Sequence, residues 1–336
     1  MTGSNVTVED LADKLISFSA TQAKVAITSH IRPDGDAIGS ALGLYHLLTD
    51  QGVDAYILDL GPIPERYAFL IDKERFCQSE QYNPGDYDWL VILDTGDLDR
   101  APGFVTNWNR LVRTINIDHH PTNTAFANIN CVVPHASAVA EIITRLACLA
   151  GWHISAPAAK ALWVGLVTDS GRFAYSCTTA ATLHAGAALL ASGVNTAEVD
   201  QSVFQSTPVV ALRIHARAID KMRLLENARL AVISLSREDF RLCGARMEDA
   251  EEVINLPRRI DSVVVAILFT EMEESTPSQP RTKASFRTRA PCDAGTFCKA
   301  MGGGGHARAA GCEVTLPLAE ATNHITQNVQ ETWFAV

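Results

Sequence analysis

The chain has 336 residues, of which 47% are hydrophobic and 20% charged, with a formal net charge of −10. That length exceeds one ordinary core and points to two domains with a cleft between them, and the apolar content excludes an intrinsically disordered chain. The acidic balance argues against sequence-blind binding to long duplex DNA, which draws its affinity from many Lys and Arg neutralising phosphates.

The first 170 residues or so alternate short apolar or β-branched runs with longer helical patterns, the signature of a parallel sheet covered by helices. KVAITSH (24–30) predicts a strand and Ala37 to Gln51 a helix ended by Gly52. DAYIL (54–58), DWLVILD (88–94) and VRTINID (112–118) predict three more strands, followed by helices from about Ser137 to Ala150 and Ala158 to Val167. From about Thr179 to Asn227 the pattern is helical and alanine-rich, broken by Gly193 and Pro208. LAVISL (230–235), SVVVAILFT (262–270), KASFRTR (283–289) and CEVTL (312–316) then predict strands, with EMEESTPSQP (271–280) an exposed hairpin loop. The expected architecture is α/β: an N-terminal parallel-sheet domain with helices on both faces (1–190), a helical connector (191–228) and a smaller C-terminal α/β domain (229–336).

No run approaches the roughly 20 apolar residues of a bilayer span, and MTGSNVTVEDLADK lacks the basic-then-apolar pattern of a signal peptide. A cytoplasmic location with no membrane partner is the expectation, and a homodimer is compatible with it. Eight cysteines are scattered without CxxC spacing, which predicts reduced, mostly buried thiols.

In open α/β sheets function gathers at the carboxyl ends of strands. His30, Asp94 and the run Asp118, His119, His120 all fall at such ends. SHIRPDGDAIGS adds Asp34 and Asp36 at a strand-to-helix junction, where capping of the next helix is the alternative role. GLVTDSGRFAYSCTT ends an apolar helical run with Asp169, which is also readable as a plain helix terminus. Four aspartates (Asp34, Asp36, Asp94, Asp169) and two histidines at one edge would repel and raise one another's pKa values unless cations balanced them. Two divalent ions suffice. Mixed carboxylate and imidazole donors favour Mn²⁺, with Mg²⁺ or Co²⁺ as lesser options, and such a pair hydrolyses phosphoesters.

Residues 281–308 hold six bases (Arg281, Lys283, Arg287, Arg289, Lys299, Arg308) against one acid, Asp293, which suggests a confined anion site on an acidic protein. Within MGGGGHARAAGC (301–312) the glycines permit close backbone approach to an anion, with amides and His306 as donors; a flexible linker is the alternative. Arg287 and Arg289 are candidates for a second jaw of this clamp, or for a solvated strand face.

HIRPDGDAIGS, ILDTGD, IDHHPTN and VTDSGRF resemble the four ordered motifs of the DHH phosphoesterase family, and GGGGHARAAG resembles the signature of its DHH-associated C-terminal domain. Length and domain pairing are most similar to the NrnA-type oligoribonucleases. The resemblance implies Mn-dependent hydrolysis of oligoribonucleotides of two to five residues to mononucleotides, together with removal of the 3′-phosphate of pAp (adenosine 3′,5′-bisphosphate). Cyclic di-AMP or pApA hydrolysis is the alternative, with inorganic pyrophosphatase behind it.

The same resemblance implies that His30, Asp34 and Asp94 hold one metal and Asp36, Asp94, His119 and Asp169 the other, with Asp94 bridging. Asp118 would orient the histidine pair, and His120 would contact the scissile phosphate as general acid. Gly303, Gly304, Gly305, His306 and Arg308, with Arg287, would bind the nucleotide or its terminal phosphate. Ser170 and Cys177 stand where Thr and Asn are frequent in the family, and neither change removes a ligand.

Overall fold

The computed structural model describes residues 3–58, 60–71, 83–108 and 110–335, and the backbone of 76–77. The chain divides into two compact units, Met1–Ser206 and Thr207–Val336.

The first unit runs β1 (Ser4–Asn5), α1 (Val8–Ala20), β2 (Lys24–Ser29), α2 (Gly35–Asp50), β3 (Asp54–Leu58), β4 (Phe76–Cys77), β5 (Trp89–Leu93) and α3 (Gly103–Trp108). It continues with β6 (Arg113–Asp118), β7 (Ile129–Val132), α4 (Val139–Leu149), α5 (Ala156–Asp169), α6 (Ala180–Ala191) and α7 (Thr196–Phe204). Among the described residues seven strands form one sheet in the order β1-β7-β6-β5-β2-β3-β4, with every neighbouring pair parallel. WLVIL of β5 is buried at all five positions, as expected of a parallel strand covered on both faces. The cover is unequal. α1, α2, α4 and α5 supply a large core on one face, whereas α3 closes a smaller cluster of Tyr87, Leu90, Ile92, Val105 and Trp108 on the other.

The second unit runs α8 (Val209–Asp220), β8 (Arg223–Leu225), β9 (Leu230–Leu235), α9 (Arg237–Cys243), β10 (Val265–Glu271) and β11 (Thr282–Thr288). α10 (Ala294–Ala300), β12 (Gly304–His306), β13 (Ala309–Val314) and α11 (Leu318–Trp333) complete it. Its sheet has the order β12-β13-β11-β10-β9-β8, antiparallel except for the β9–β10 pair. β11 alternates strictly: Thr282, Ala284, Phe286 and Thr288 are buried, while Lys283, Ser285 and Arg287 point to the other face. The expected connector is shared between the units. Val199 and Val203 of α7 join the first core, and Ile214 and Ala218 of α8 join the second.

The sequence reading names neither α1, of 13 residues, nor α11, of 16, and it also leaves out several short or atypical elements. β1, β7 and β12 have two to four residues, and β13 begins at Ala309 because AAG pairs with β11 and β12 despite carrying no β-branched residue. Cys131, Cys243, Cys292, Cys298 and Cys312 are buried and Cys148 is exposed, while the side chain of Cys77 lies outside the described residues.

Candidate active site

Strand register assembles the site. Ser29, Leu93 and Ile117 are Cα partners across β2, β5 and β6, so the next residues, His30, Asp94 and Asp118, emerge in one row at the carboxyl edge. β5 is the middle strand of the three. Asp94 therefore stands between His30 on one side and His119 on the other, at the point where connections from β2 and β5 run in opposite directions along the sheet. Asp94 also adopts φ 51°, a left-handed conformation that aspartate tolerates better than most residues and that recurs at functional sites.

Hydrogen bonds set the direction of each imidazole. His30 Nδ1 lies 2.8 Å from the Ile31 carbonyl and His119 Nδ1 lies 3.1 Å from the Ala136 carbonyl. A carbonyl accepts, so both rings carry hydrogen on Nδ1 and present Nε2 to the carboxylates. His30 Nε2 is 3.4 Å from Asp94 and 3.8 Å from Asp34. His119 Nε2 is 3.5 Å from Asp94 Oδ1 and 3.4 Å from Asp169. His120 differs: its Nδ1 is 2.8 Å from Asp118 Oδ1. Of the pair, Asp118 thus orients His120 alone, which corrects the expectation that it orients both. The reason is geometric, since adjacent residues after a strand turn their rings apart, here with planes 71° from parallel.

The two remaining acids arrive on helices. Asp34 Oδ1 accepts from the Asp36 and Ala37 amides and so caps α2, while Oδ2 faces His30. Capping and site roles coexist on one carboxylate. Asp36 lies on α2 and Asp169 ends α5, and these helices meet through an i, i+4 stripe of glycines. A Cβ on Gly39 would stand 2.4 Å from the Ala161 carbonyl oxygen, and one on Gly165 would stand 2.7 Å from Asp36 Oδ1. Only this backbone-to-backbone approach brings Asp36 beside Asp169 and His119.

Three donor groups result, His30–Asp34–Asp94, Asp36–His119–Asp169 and Asp94–His119–His120, each with candidate ligand atoms within 4.8 Å of one another. Asp94 Oδ1 is buried with no hydrogen-bond partner. Separations of 3.4–3.8 Å are long for hydrogen bonds, but near the ~3 Å expected of two donors each ~2.1 Å from a shared ion. Divalent cations fit this donor set.

The electrostatics agree. Burial, then the Asp94 charge, pushes Asp36 up to about 7. Burial, then Asp36 and Asp34, pushes Asp169 well above the ordinary carboxylate range. Burial opposes charge on His30 and His119, yet the facing carboxylates prevail and raise them to about 10 and about 11. Asp94 is buried too, but His119 and His30 hold it well below the usual range. The cluster as a whole calls for added positive charge.

In the second unit the expected anion-binding residues fall into two places. Gly303, Gly304 and Gly305 line an open depression of about 430 Å³ with Asp293, Gly295, Thr296 and Lys299. His306 and Arg287 are both Cα partners of Ala309, so they share one row and one face of the sheet. Arg308 donates to the Cys292 carbonyl at 2.6 Å. A Cβ on Gly303 would meet Gly311 O at 2.2 Å, and one on Gly305 would meet Ala309 O at 2.6 Å. Close strand packing is thus one reason for glycine here.

Residues 24–166 match the model of the DHH family, N-terminal domain, and residues 240–332 that of the DHHA1 domain. The bifunctional oligoribonuclease and PAP phosphatase NrnA of Thermus thermophilus is 31% identical over 316 residues, 94% of this chain and 91% of that one. The chain belongs to the DHH family. It is a phosphoesterase, a hydrolase of phosphoric esters. The protein of the same name from Bacillus subtilis is 23% identical over 304 residues, 90% of this chain and 92% of that one. An exopolyphosphatase-related protein from Bacteroides fragilis superposes with a TM-score of 0.87 at 26% identity, covering 96% of each chain. Among the described residues no helix is long and apolar enough to cross a membrane.

Sequence reasoning missed several residues of this DHH site. Asn123 donates to Asp118 Oδ2 at 2.6 Å and to Asn116 at 2.8 Å. Asn116 in turn donates to the carbonyls of Ile92 and Thr95, tying the ends of β5 and β6 together behind His120. The available signal was Asn116 inside an apolar strand, since a buried amide needs partners. Gly35, Gly39 and Gly43 were also readable, as glycine every fourth residue in a helix.

Proposed function

We propose that this chain is a two-metal exonuclease that degrades oligoribonucleotides of two to five residues to mononucleotides and removes the 3′-phosphate of pAp. The observation that carries this reading is the placement of Asp94 just past the middle strand between two imidazoles presented through Nε2, with Oδ2 toward His30 and Oδ1, buried and without a hydrogen bond, toward His119. His30, Asp34 and Asp94 would hold one cation and Asp36, Asp94, His119 and Asp169 the second, Mn²⁺ suiting the mixed oxygen and nitrogen donors. Such a pair supplies a nucleophilic water at neutral pH and offsets charge at phosphorus during in-line displacement.

The chain's own side chains do the remaining work. Asp118 requires hydrogen on His120 Nδ1, so proton exchange with a substrate oxygen goes through Nε2. With Nδ1 held by the buried Asp118 carboxylate, His120 presents Nε2 to the leaving oxygen, where it would act as general acid. In the second unit, His306 and Arg287 on one sheet face and the backbone at Gly304 and Gly305 are the proposed phosphate and nucleotide contacts, the Gly303 amide being committed to the Cys298 carbonyl. The names of the Thermus thermophilus and Bacillus subtilis relatives support the same pair of substrates.

The test is product analysis with Mn²⁺ on pApA, a five-nucleotide RNA, pAp, cyclic di-AMP and pyrophosphate, with Asp94→Ala as control. AMP from pApA and mononucleotides from the five-mer, with AMP from pAp, are expected. Turnover of cyclic di-AMP or pyrophosphate alone would refute the substrate assignment and leave the metal centre standing.

A further inference from the structure

α4 begins without a cap of its own. Its N-cap residue is Ala138, whose side chain offers no acceptor, although the first amides of a helix need partners when buried. The partner comes from 103 residues away. Asp36 Oδ2 accepts from the Val139 amide at 2.5 Å and Oδ1 from the Ala140 amide at 3.0 Å. Ser40 Oγ gives Oδ1 a further bond at 2.8 Å. A carboxylate offers about four acceptor positions. Oδ1 is thus filled, and one lone pair on Oδ2 is left to face His119 and Asp169.

The amides that aim Asp36 are themselves held by a second buried acid. Glu141, 7% exposed on the first turn of α4, takes three bonds on Oε2. They come from the Ser137 amide at 3.0 Å, Ser137 Oγ at 2.8 Å and Thr182 Oγ1 of α6 at 2.8 Å. Ser137, Glu141 and Thr182 are all buried, and they bracket the two peptide groups that grip Asp36. The segment Ser137–Ala140 is therefore pinned from both sides, by Glu141 behind and Asp36 in front.

Building on the metal centre described above, we propose that Glu141, with Ser137 and Thr182, is a positioning device that fixes the α4 N-terminus as the holder of Asp36, and so sets the affinity of the cation shared by Asp36, His119 and Asp169. Glu141 does not touch the reacting atoms. It acts through two backbone amides. The cation held by His30, Asp34 and Asp94 has no such link to Glu141 and is insensitive to it.

The experiment is direct Mn²⁺ titration of the full chain, freed of metal, by calorimetry at 25 °C, comparing the parent with Glu141→Gln, Thr182→Val and Thr182→Ser. Urea midpoints measured in EDTA monitor folding separately. The parent is expected to bind two Mn²⁺. Replacing the charged acceptor in Glu141→Gln weakens one of the two by about 10–100-fold, the scale of losing an outer partner of a metal ligand, and leaves the other unchanged. Thr182→Val shifts the same site in the same direction, and Thr182→Ser, which keeps the hydroxyl, restores it. Thr182→Val decides the question should Glu141→Gln fail to fold. Variant isotherms that overlay the parent's, with only the urea midpoint lowered, would overturn the positioning role. A parent that binds no Mn²⁺ would instead overturn the metal-centre reading on which it rests.

Discussion

Gly39→Ala separates packing from catalysis on a quantitative basis. The added Cβ would lie 2.4 Å from the Ala161 carbonyl oxygen, 2.7 Å from the Gly165 amide nitrogen and 3.1 Å from Gly165 Cα. All three are backbone atoms of α5, so no rotamer change relieves the clash. Carbon contacts are comfortable near ~3.5 Å, and α2 and α5 must therefore part by about 1 Å. Overpacking of this kind costs about 1–3 kcal/mol. Alanine in a helix interior is favoured over glycine by about 1 kcal/mol, leaving a net loss of only about 0–2 kcal/mol.

Function suffers more, because α2 carries Asp36 and α5 ends in Asp169. A displacement of about 1 Å between catalytic groups can lower turnover by about 100-fold. Urea denaturation in EDTA gives the first quantity and initial rates on pApA at saturating Mn²⁺ the second. Gly103→Ala, whose Cβ meets nothing within 4 Å, is the control and should leave turnover unchanged. A Gly39→Ala enzyme with parental turnover would refute the argument that close α2–α5 approach assembles the site.

Asp94→Asn keeps the side-chain volume but removes the charge proposed to serve both cations, so turnover should fall by more than the about 10–100-fold typical of an outer partner; steady-state rates across a Mn²⁺ series check this. His306→Ala should raise KM by the equivalent of about 1–3 kcal/mol and spare kcat, as for a lost charge-assisted hydrogen bond. A purely kcat effect would assign His306 another task. In the second unit Asp239 accepts from Arg217 Nε at 2.8 Å, from Lys221 and from Ser236. These partners overcome burial and hold its carboxyl well below the usual range. A depressed folded-state pKa stabilises above the unfolded value near ~4 and is lost as pH falls below it. Asp239→Asn should therefore lower the urea midpoint at pH 7, and the gap from the parent should close as acid is added below pH ~4.

Much of the site was legible because its signals are local. An apolar run ending in His30, Asp94 or Asp118 marks a buried parallel strand meeting the functional edge of a sheet, and that pattern needs no knowledge of neighbours. The hairpin at 271–280 was equally local: the Met272 amide donates to the Arg281 carbonyl and the Arg281 amide to Ser275 Oγ, all within ten residues. The connector was less so. Its alanine-rich helices looked alike in sequence, and only packing assigns α7 to one unit and α8 to the other.

By itself the sequence determined the candidate donor types, their positions at strand and helix ends, and the resemblance to the family. Tertiary structure alone decided that β5 lies between β2 and β6, which stands Asp94 between His30 and His119. It also decided that Asp36, readable as a cap for its own helix, caps α4 instead, and that Asp118 serves one histidine. The physical reason is range. Periodicity and capping propensities report contacts within a few residues, whereas strand order and helix-to-helix approach are set by the burial of whole faces, to which each residue contributes too little to be read singly.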